Sequence, residues 1–311
     1  MIDLALSSYW MRGRYERIGD FFRVGAELGL SAFEVSGLHI DTFYQDVRPG
    51  HFNIVSFHNP APPQRGETVM GSQAARRADV VLTSLDGERR GQAVAAVKQC
   101  LDVASEFGAR ASVLHLGNTR AEPALEQQLK HVTLARRGAG PEAESLRSRV
   151  LTERSLGRAE RMDALRRSLD ELIPYAASRG VRLGLENRPI CQVPNFEDMG
   201  EILSWYADDA EAVGYWHDTG HAQVQEALGF TPQADWLRAY GQRLVGTHLH
   251  DEIEFGVHRA PGAGHVDWGR LASLLPPDAL RVIEVDQTVT TQALRAGILC
   301  LGATGWLTSL T

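Results

Sequence analysis

Three carboxylates and one imidazole stand at or near the ends of apolar runs in this 311-residue sequence. Glu186 closes Leu183-Gly184-Leu185-Glu186, Asp218 follows Tyr215-Trp216-His217, His248 lies in Gly246-Thr247-His248-Leu249, and Glu284 ends Arg281-Val282-Ile283-Glu284. A charge in such a place is costly to bury unless it is paired or bound to a cation. Either glutamate alone reads equally as a buried ion pair with one of the 32 Lys and Arg residues. Taken together, Glu186, Asp218, His248 and Glu284 suit a divalent ion such as Mn²⁺, Mg²⁺, Co²⁺ or Zn²⁺.

Further chemistry-bearing residues surround these four. In Asp218-Thr219-Gly220-His221, a helix starting at the turn would bring His221 to the same side as Asp218. Alternatively, Asp218 is simply the N-cap of that helix, a position Asp favours, and His221 is a surface histidine. His248 and His250 lie two apart and would project to one side of a strand. Only one need be a ligand, and the other suits an outer role, orienting a ligand by hydrogen bonding. The loop from His258 and Arg259 through Pro261-Gly262-Ala263-Gly264 to His265 reads as a lid or substrate clamp, or as a plain loop with incidental histidines. His58 and His115 end two more apolar runs.

The elements that must position these groups form a repeat. Eight short apolar runs, at 2–7, 32–36, 53–58, 111–115, 182–186, 213–217, 244–249 and 281–285, are mostly followed by longer amphipathic segments. That is the pattern of βα units around a parallel sheet. Residues 89–107 and 164–177 carry helical stripes, and Gly108 and Gly180 stand where those helices should stop. An open doubly wound sheet would show a Gly-x-Gly-x-x-Gly turn after a strand, and none is present. Reactive side chains at the ends of six different runs instead fit the mouth of a (β/α)8 TIM barrel. Residues 118–161, crowded with charge around Gly138, Gly140 and Pro141, read as a helical insertion between strands 4 and 5, or as a charged disordered excursion. No Gly/Ser-rich linker divides the chain, so residues 1–311 are expected to form one domain.

Composition narrows the class. A hydrophobic fraction of 43%, a charged fraction of 23% and a net charge of −7 describe a soluble globular protein without a basic footprint for nucleic acid or anionic lipid. The three cysteines, Cys100, Cys191 and Cys300, are scattered and odd in number, which fits a reducing cytoplasm. Asp3, Arg12, Arg14 and Glu16 interrupt any signal-peptide core, and residues 296–311 are short for a membrane span and read as a last packed helix.

In ordered combination these strings resemble the xylose isomerase-like TIM-barrel superfamily, which includes sugar isomerases and epimerases, inosose dehydratase, hydroxypyruvate isomerase and endonuclease IV. The resemblance runs from Phe33-Glu34-Val35 and Phe57-His58-Asn59-Pro60 through His115-Leu116-Gly117, Leu185-Glu186-Asn187, Asp218-Thr219-Gly220-His221, His248-Leu249-His250-Asp251 and Pro261-Gly262-Ala263-Gly264 to Ile283-Glu284. It implies that Glu186, Asp218, His248 and Glu284 are the metal ligands, and that Glu186 and Glu284 also exchange protons with a sugar, sugar phosphate or related polyol or keto acid. The implied reaction passes through an enediolate. His221, His258, Arg259 and His250 would then contact substrate or ligands, and Tyr9, Trp10 and Glu34 would line the pocket, although core or rim packing explains these last three equally well. Arg14, Arg188 and Arg259 are candidate holders of an anionic group.

The endonuclease IV branch implies an alternative, a multinuclear zinc hydrolase or a metal-dependent lyase. His58, His115, His221 and His258 match its ligands for a second and third zinc, but Gly256 stands where that branch has an Asp. The acidic balance also argues against a polyanionic substrate. The insertion and the apolar tail are surfaces on which a second copy of the chain would pack.

Overall fold

A computed structural model describes residues 4–36, 43–60, 62, 81–135 and 140–307. Ile2 and Asp3 of the first expected strand, Gly138 of the insertion and residues 308–311 of the tail lie outside the described residues. Eight parallel strands close into a barrel: β1 (Leu4–Ser7), β2 (Ala32–Ser36), β3 (Asn53–His58), β4 (Ala111–Leu114), β5 (Arg182–Glu186), β6 (Val213–Asp218), β7 (Leu244–Leu249) and β8 (Leu280–Ile283). Each pairs with its neighbours in sequence, and β8 closes on β1. The fold is a TIM barrel; four expected strands are found with the same bounds, and among the described residues three others differ by one or two residues at their ends. His115 and Glu284 fall just beyond the last paired residues of β4 and β8, while β6 continues to Asp218.

The two-residue period of a strand explains why reactive groups share one cavity. Ala32, Ser56, Gly184, Trp216, Gly246 and Val282 stand two residues before Glu34, His58, Glu186, Asp218, His248 and Glu284. Residues facing the barrel interior therefore form a floor, and the same face one step higher carries the polar groups. Trp216 fills that floor, completely buried among Ala5, Ala32, Val55, Ala111, Val113 and Val282. Its flanking strands present glycine, because a Cβ on Gly184 or Gly246 would come within 2.7 or 2.5 Å of the indole. The indole also lies against the His248 ring, centroids 5.1 Å apart, and so supports the site from below.

Outward-facing Leu183, Leu185, Tyr215, Leu249 and Ile283 join the main core under the helices. The helix Arg158–Arg179 buries Leu165, Leu169, Leu172, Ile173 and Ala176, as its stripe predicts, and ends at Gly180 in the left-handed conformation, φ 65°. The insertion is helical among its described residues: Pro123–Ala135 and Pro141–Ser155 pack Leu125, Leu129, Ala143, Leu146 and Val150 against Ile190 of the loop after β5 and against Val224 and Leu228 of the helix Thr219–Ala227 and its C-cap. These two helices are thus built onto the mouth of the barrel beside the loop after β5. The tail forms a helix, Thr291–Ala303, and Trp306 beyond it is buried and donates to the Trp268 carbonyl at 2.8 Å. Among the described residues no helix is long and apolar enough to cross a membrane.

Truncating the floor should be expensive. Trp216→Ala is expected to destabilise the metal-free protein by about 3–5 kcal/mol, read from the shift of its urea midpoint. A loss below about 1 kcal/mol would mean that Trp216 does not carry the barrel interior.

Candidate metal centre

The ends of β5 to β8 bring Glu186, Asp218, His248 and Glu284 together, with one donor atom from each lying within 4.8 Å of the others. His248 Nδ1 is 3.5 Å from Glu186 Oε1, 3.4 Å from Glu284 Oε2 and 3.9 Å from Asp218 Oδ2. All four side chains are buried, yet His248 Nδ1 and Glu186 Oε2 have no hydrogen-bond partner. Unpaired buried polar atoms carry a full desolvation penalty. A cation in their midst would relieve it, and three carboxylates with one imidazole are a suitable donor set for a divalent ion. The residues present therefore fit the metal that the sequence suggests.

The neighbours of this quartet aim it. Glu34, buried in mid-strand β2, lies 3.1 and 3.3 Å from His248 Nε2 and accepts a hydrogen bond from the Ser56 hydroxyl at 2.8 Å. With Nε2–H donating to Glu34, the lone pair of His248 Nδ1 faces the quartet. This carboxylate–histidine pairing sets tautomer and ring orientation. His250 does the same for Asp218, at 2.9 Å from Oδ1 and 3.0 Å from Oδ2, while its own Nδ1 accepts from the His258 backbone N–H at 3.0 Å. Asp218 combines both roles open to it in the sequence. Its Oδ1 accepts from the His221 N–H at 2.7 Å as the N-cap of Thr219–Ala227, and its Oδ2 faces the ring nitrogen of His248. Asn187 locks the β5 and β6 ends together, donating to the Asp218 carbonyl at 3.0 Å and accepting from the Asp218 N–H at 2.7 Å.

Charge is distributed unevenly. Burial opposes ionisation of Glu186, but Arg188 and His115 outweigh it and hold the carboxyl well below its usual range. Burial pushes Glu284 upward, and the nearby imidazoles of His248 and His58 do not reverse it. Burial disfavours the imidazolium of His248, yet Glu284 and Glu34 hold its pKa well above the ordinary value. The two glutamates offered as acid and base thus lie in opposite electrostatic environments.

The remaining histidines form an outer ring. His115 Nε2 is 2.7 Å from Glu186 Oε2 but not aligned for a hydrogen bond, and His58 Nε2 is 3.6 Å from the same oxygen. His58 Nδ1 is 2.9 Å from the Asn59 carbonyl, which leaves Nε2 as the free donor of a lone pair. His221 Nδ1 lies 3.1 Å from Asp218 and 3.4 Å from Glu186. His258, in a left-handed conformation at φ 61°, sits 3.6 Å from Glu284 and 4.9 Å, between centroids, from the Tyr9 ring. His250, His258 and Glu284 also approach one another closely, but both nitrogens of His250 are engaged as described.

Other candidates fall elsewhere. Trp10, expected to line the pocket, is fully buried in the main core and donates its indole N–H to the Val289 carbonyl at 2.8 Å. Tyr9 is instead the ring beside the histidines. Arg14 donates to the carbonyls of Gln287 and Val289, both at 2.7 Å, and covers Trp10, so its role is structural. Arg259 is tied at the rim to Asp286 at 3.4 Å and Thr288 at 3.2 Å. Arg188 alone of the three candidate anion holders reaches the quartet, 3.3 Å from Glu186 Oε1. The sequence reading gave Glu34 only a pocket-lining role. The signal for more was present, since Phe33-Glu34-Val35 sets a carboxylate among apolar strand residues, as the runs that carry the quartet do.

The chain belongs to the xylose isomerase-like TIM barrel family, whose model matches residues 22–281. Comparison with curated protein sequences finds no match. Among solved structures, 3-keto-D-glucoside 4-epimerase from E. coli is similar at 17% identity and a TM-score of 0.64, over 97% of this chain and 100% of that one. D-psicose 3-epimerase from Clostridium cellulolyticum is similar at 12% identity and a TM-score of 0.65, over 98% and 99% of the two chains. The IOLI protein, solved with a bound zinc atom, is similar at 15% identity and a TM-score of 0.62, over 97% and 96%. At these identities the likeness is one of fold.

Replacing Glu34 by Gln should leave the barrel folded but release the orientation of His248. Divalent-metal affinity, measured by calorimetric titration, is expected to fall about 10–100-fold. Unchanged affinity would show that Glu34 does not orient the ligand.

Proposed function

We propose that the protein is a divalent-metal-dependent isomerase or epimerase of a sugar or a sugar-like polyol or keto acid, with Glu186 and Glu284 as its acid and base. The observation that carries this reading is the buried quartet with its two orphaned donor atoms, His248 Nδ1 and Glu186 Oε2, at the open end of the barrel. A bound cation would supply Lewis acidity, polarising a carbonyl and its adjacent hydroxyl. Glu186 and Glu284 come from strands β5 and β8 and converge on one volume, so a substrate between them meets a carboxylate on each side. One of them removes the proton beside the carbonyl, and an enediolate results. The other, or the same one, returns it to the adjacent carbon or to the opposite face. The histidines His58, His115, His221 and His258, with Tyr9 at the rim, supply hydrogen bonds and an apolar ring face to the substrate. Members of this fold that act on free or oxidised sugars, such as the two epimerases above, are consistent with that class.

The test is solvent exchange. Metal-loaded protein incubated in D₂O with a panel of ketoses and keto acids should place deuterium on the carbon beside the carbonyl of a substrate. Chelation should abolish the exchange, and Glu284→Gln should reduce it by at least about 100-fold. A panel without exchange, on protein shown to hold metal, would overturn the reading.

A second reading, a multinuclear hydrolase, is favoured by one observation: Glu186 Oε2 faces both His58 and His115, a further three-donor group. It requires at least two ions per chain and cleavage of an activated phosphodiester.

A further inference from the structure

The loop after β5 places a fixed positive charge against the proposed centre. Arg188 is the only Lys or Arg, among the described residues, ion-paired with a carboxylate of the quartet, at 3.3 Å from Glu186 Oε1. It has little freedom to leave. Its side chain is 15% exposed, its Nε donates to Gln192 Oε1 at 2.9 Å, and its carbonyl accepts from Gln225 Nε2 at 2.7 Å. The loop is in turn clamped by the insertion. Arg154, buried at the end of Pro141–Ser155, donates to the carbonyls of Ile190 and Gln192 and pairs with Asp198.

The position of this charge bears on the opposite side of Glu186. There Oε2 faces His58 and His115, a donor set that would suit a second divalent ion bridged to the first through the same carboxylate. Charge balance does not call for a second full dication. The three ligand carboxylates are neutralised by one divalent ion together with the Arg188 guanidinium. A second dication would be added beside the first ion and the Arg188 guanidinium, in a buried region where such repulsion is weakly screened. Glu34, held between the Nε2–H of His248 and the Ser56 hydroxyl, adds a fourth carboxylate, so one divalent ion with Arg188 leaves a single negative charge and a second dication would carry the site past neutrality.

We propose that Arg188 takes the place of a second metal ion in this centre, restricting it to one divalent ion and leaving His58 and His115 metal-free to face substrate. The inference rests on the metal-centre reading above and selects the mononuclear form of it. Unlike a metal ion, the guanidinium is always charged, needs no loading, and cannot carry an activated water. The pair His58 and His115 then contributes hydrogen bonds rather than ligation.

The experiment counts ions. Chelator-treated full-length protein is titrated with Zn²⁺ and separately with Mn²⁺ by calorimetry, and bound metal is measured by elemental analysis after desalting. Wild type is expected to hold one ion per chain. Arg188→Met and Arg188→Gln should each hold two, the second bound at least about 100-fold more tightly than any second ion of wild type. Arg188→Lys should remain at one. Adding His115→Ala to Arg188→Gln should return the count to one, which locates the second ion. Mn²⁺ paramagnetic resonance should show isolated ions in wild type and a spin-coupled pair in the two charge-removing variants. Circular dichroism establishes that each variant is folded, and either of the two suffices. Two ions on wild type, or one ion on a folded Arg188→Gln or Arg188→Met, would overturn the proposal. No ion on wild type would instead overturn the metal-centre reading itself.

Discussion

The constraint on which the mouth of this barrel depends is the cost of burying three carboxylates around one imidazole nitrogen. Glu186, Asp218 and Glu284 converge on His248 Nδ1 with almost no solvent access, and a carboxylate moved from water into such surroundings loses several kcal/mol of hydration unless it is compensated. Most of the polar structure nearby consists of that compensation. Asp218 is served by His250 and by a helix N-terminus, Glu186 by Arg188 and His115, and His248 by Glu34. What hydrogen bonds leave unmet includes His248 Nδ1, turned toward the three carboxylates, and Glu186 Oε2 with His115 Nε2, which face each other on the far side of Glu186.

Strand geometry makes the convergence possible. Parallel strands end at the same rim, and alternate side chains face inward, so a side chain on the last inward position of each of four neighbouring strands meets the other three. The floor beneath must be solid for those side chains to hold their places. Trp216 supplies the bulk and its neighbours Gly184 and Gly246 supply the room, so one large side chain and two absent ones act as a unit. Its contact with the His248 ring connects packing of the barrel interior directly to the position of the imidazole.

The helical insertion contributes on a different level. It carries no member of the quartet, but its apolar cluster and the buried Arg154 hold residues 190–192 against the barrel. Those residues hold Arg188, and Arg188 holds Glu186. A surface excursion in the chain is thereby coupled to the electrostatics of the centre through a short series of hydrogen bonds. On the other side of the mouth, Asp251 performs a similar task, accepting from the N–H groups of Glu252, Gly262 and Val266 and from the Trp268 indole. That carboxylate organises the Gly/Pro-rich loop after His258 and Arg259.

Much of this was legible in the residues alone. Recurring apolar runs of strand length, separated by helical stripes, determine a βα repeat, and polar residues at the ends of six runs determine a barrel mouth rather than a dinucleotide crevice, because strand periodicity is a local property. The same locality marks Glu186, Asp218, His248 and Glu284, since a charge closing an apolar run is conspicuous wherever the run goes. Tertiary structure decided which of the outer groups serve which member of the quartet. Glu34 and His248 are separated by 214 positions, and only closure of the barrel sets one against the other. Trp10 and Tyr9 are adjacent in sequence with similar chemistry, yet the turn after β1 sends one into the core and the other to the histidines. Arg14, Arg188 and Arg259 were equivalent as letters, and the loops that carry them assign one to backbone carbonyls, one to the rim and one to Glu186. Local pattern specifies what a residue is able to do, whereas its partner is set by the paths of distant segments, which no spacing along the chain encodes.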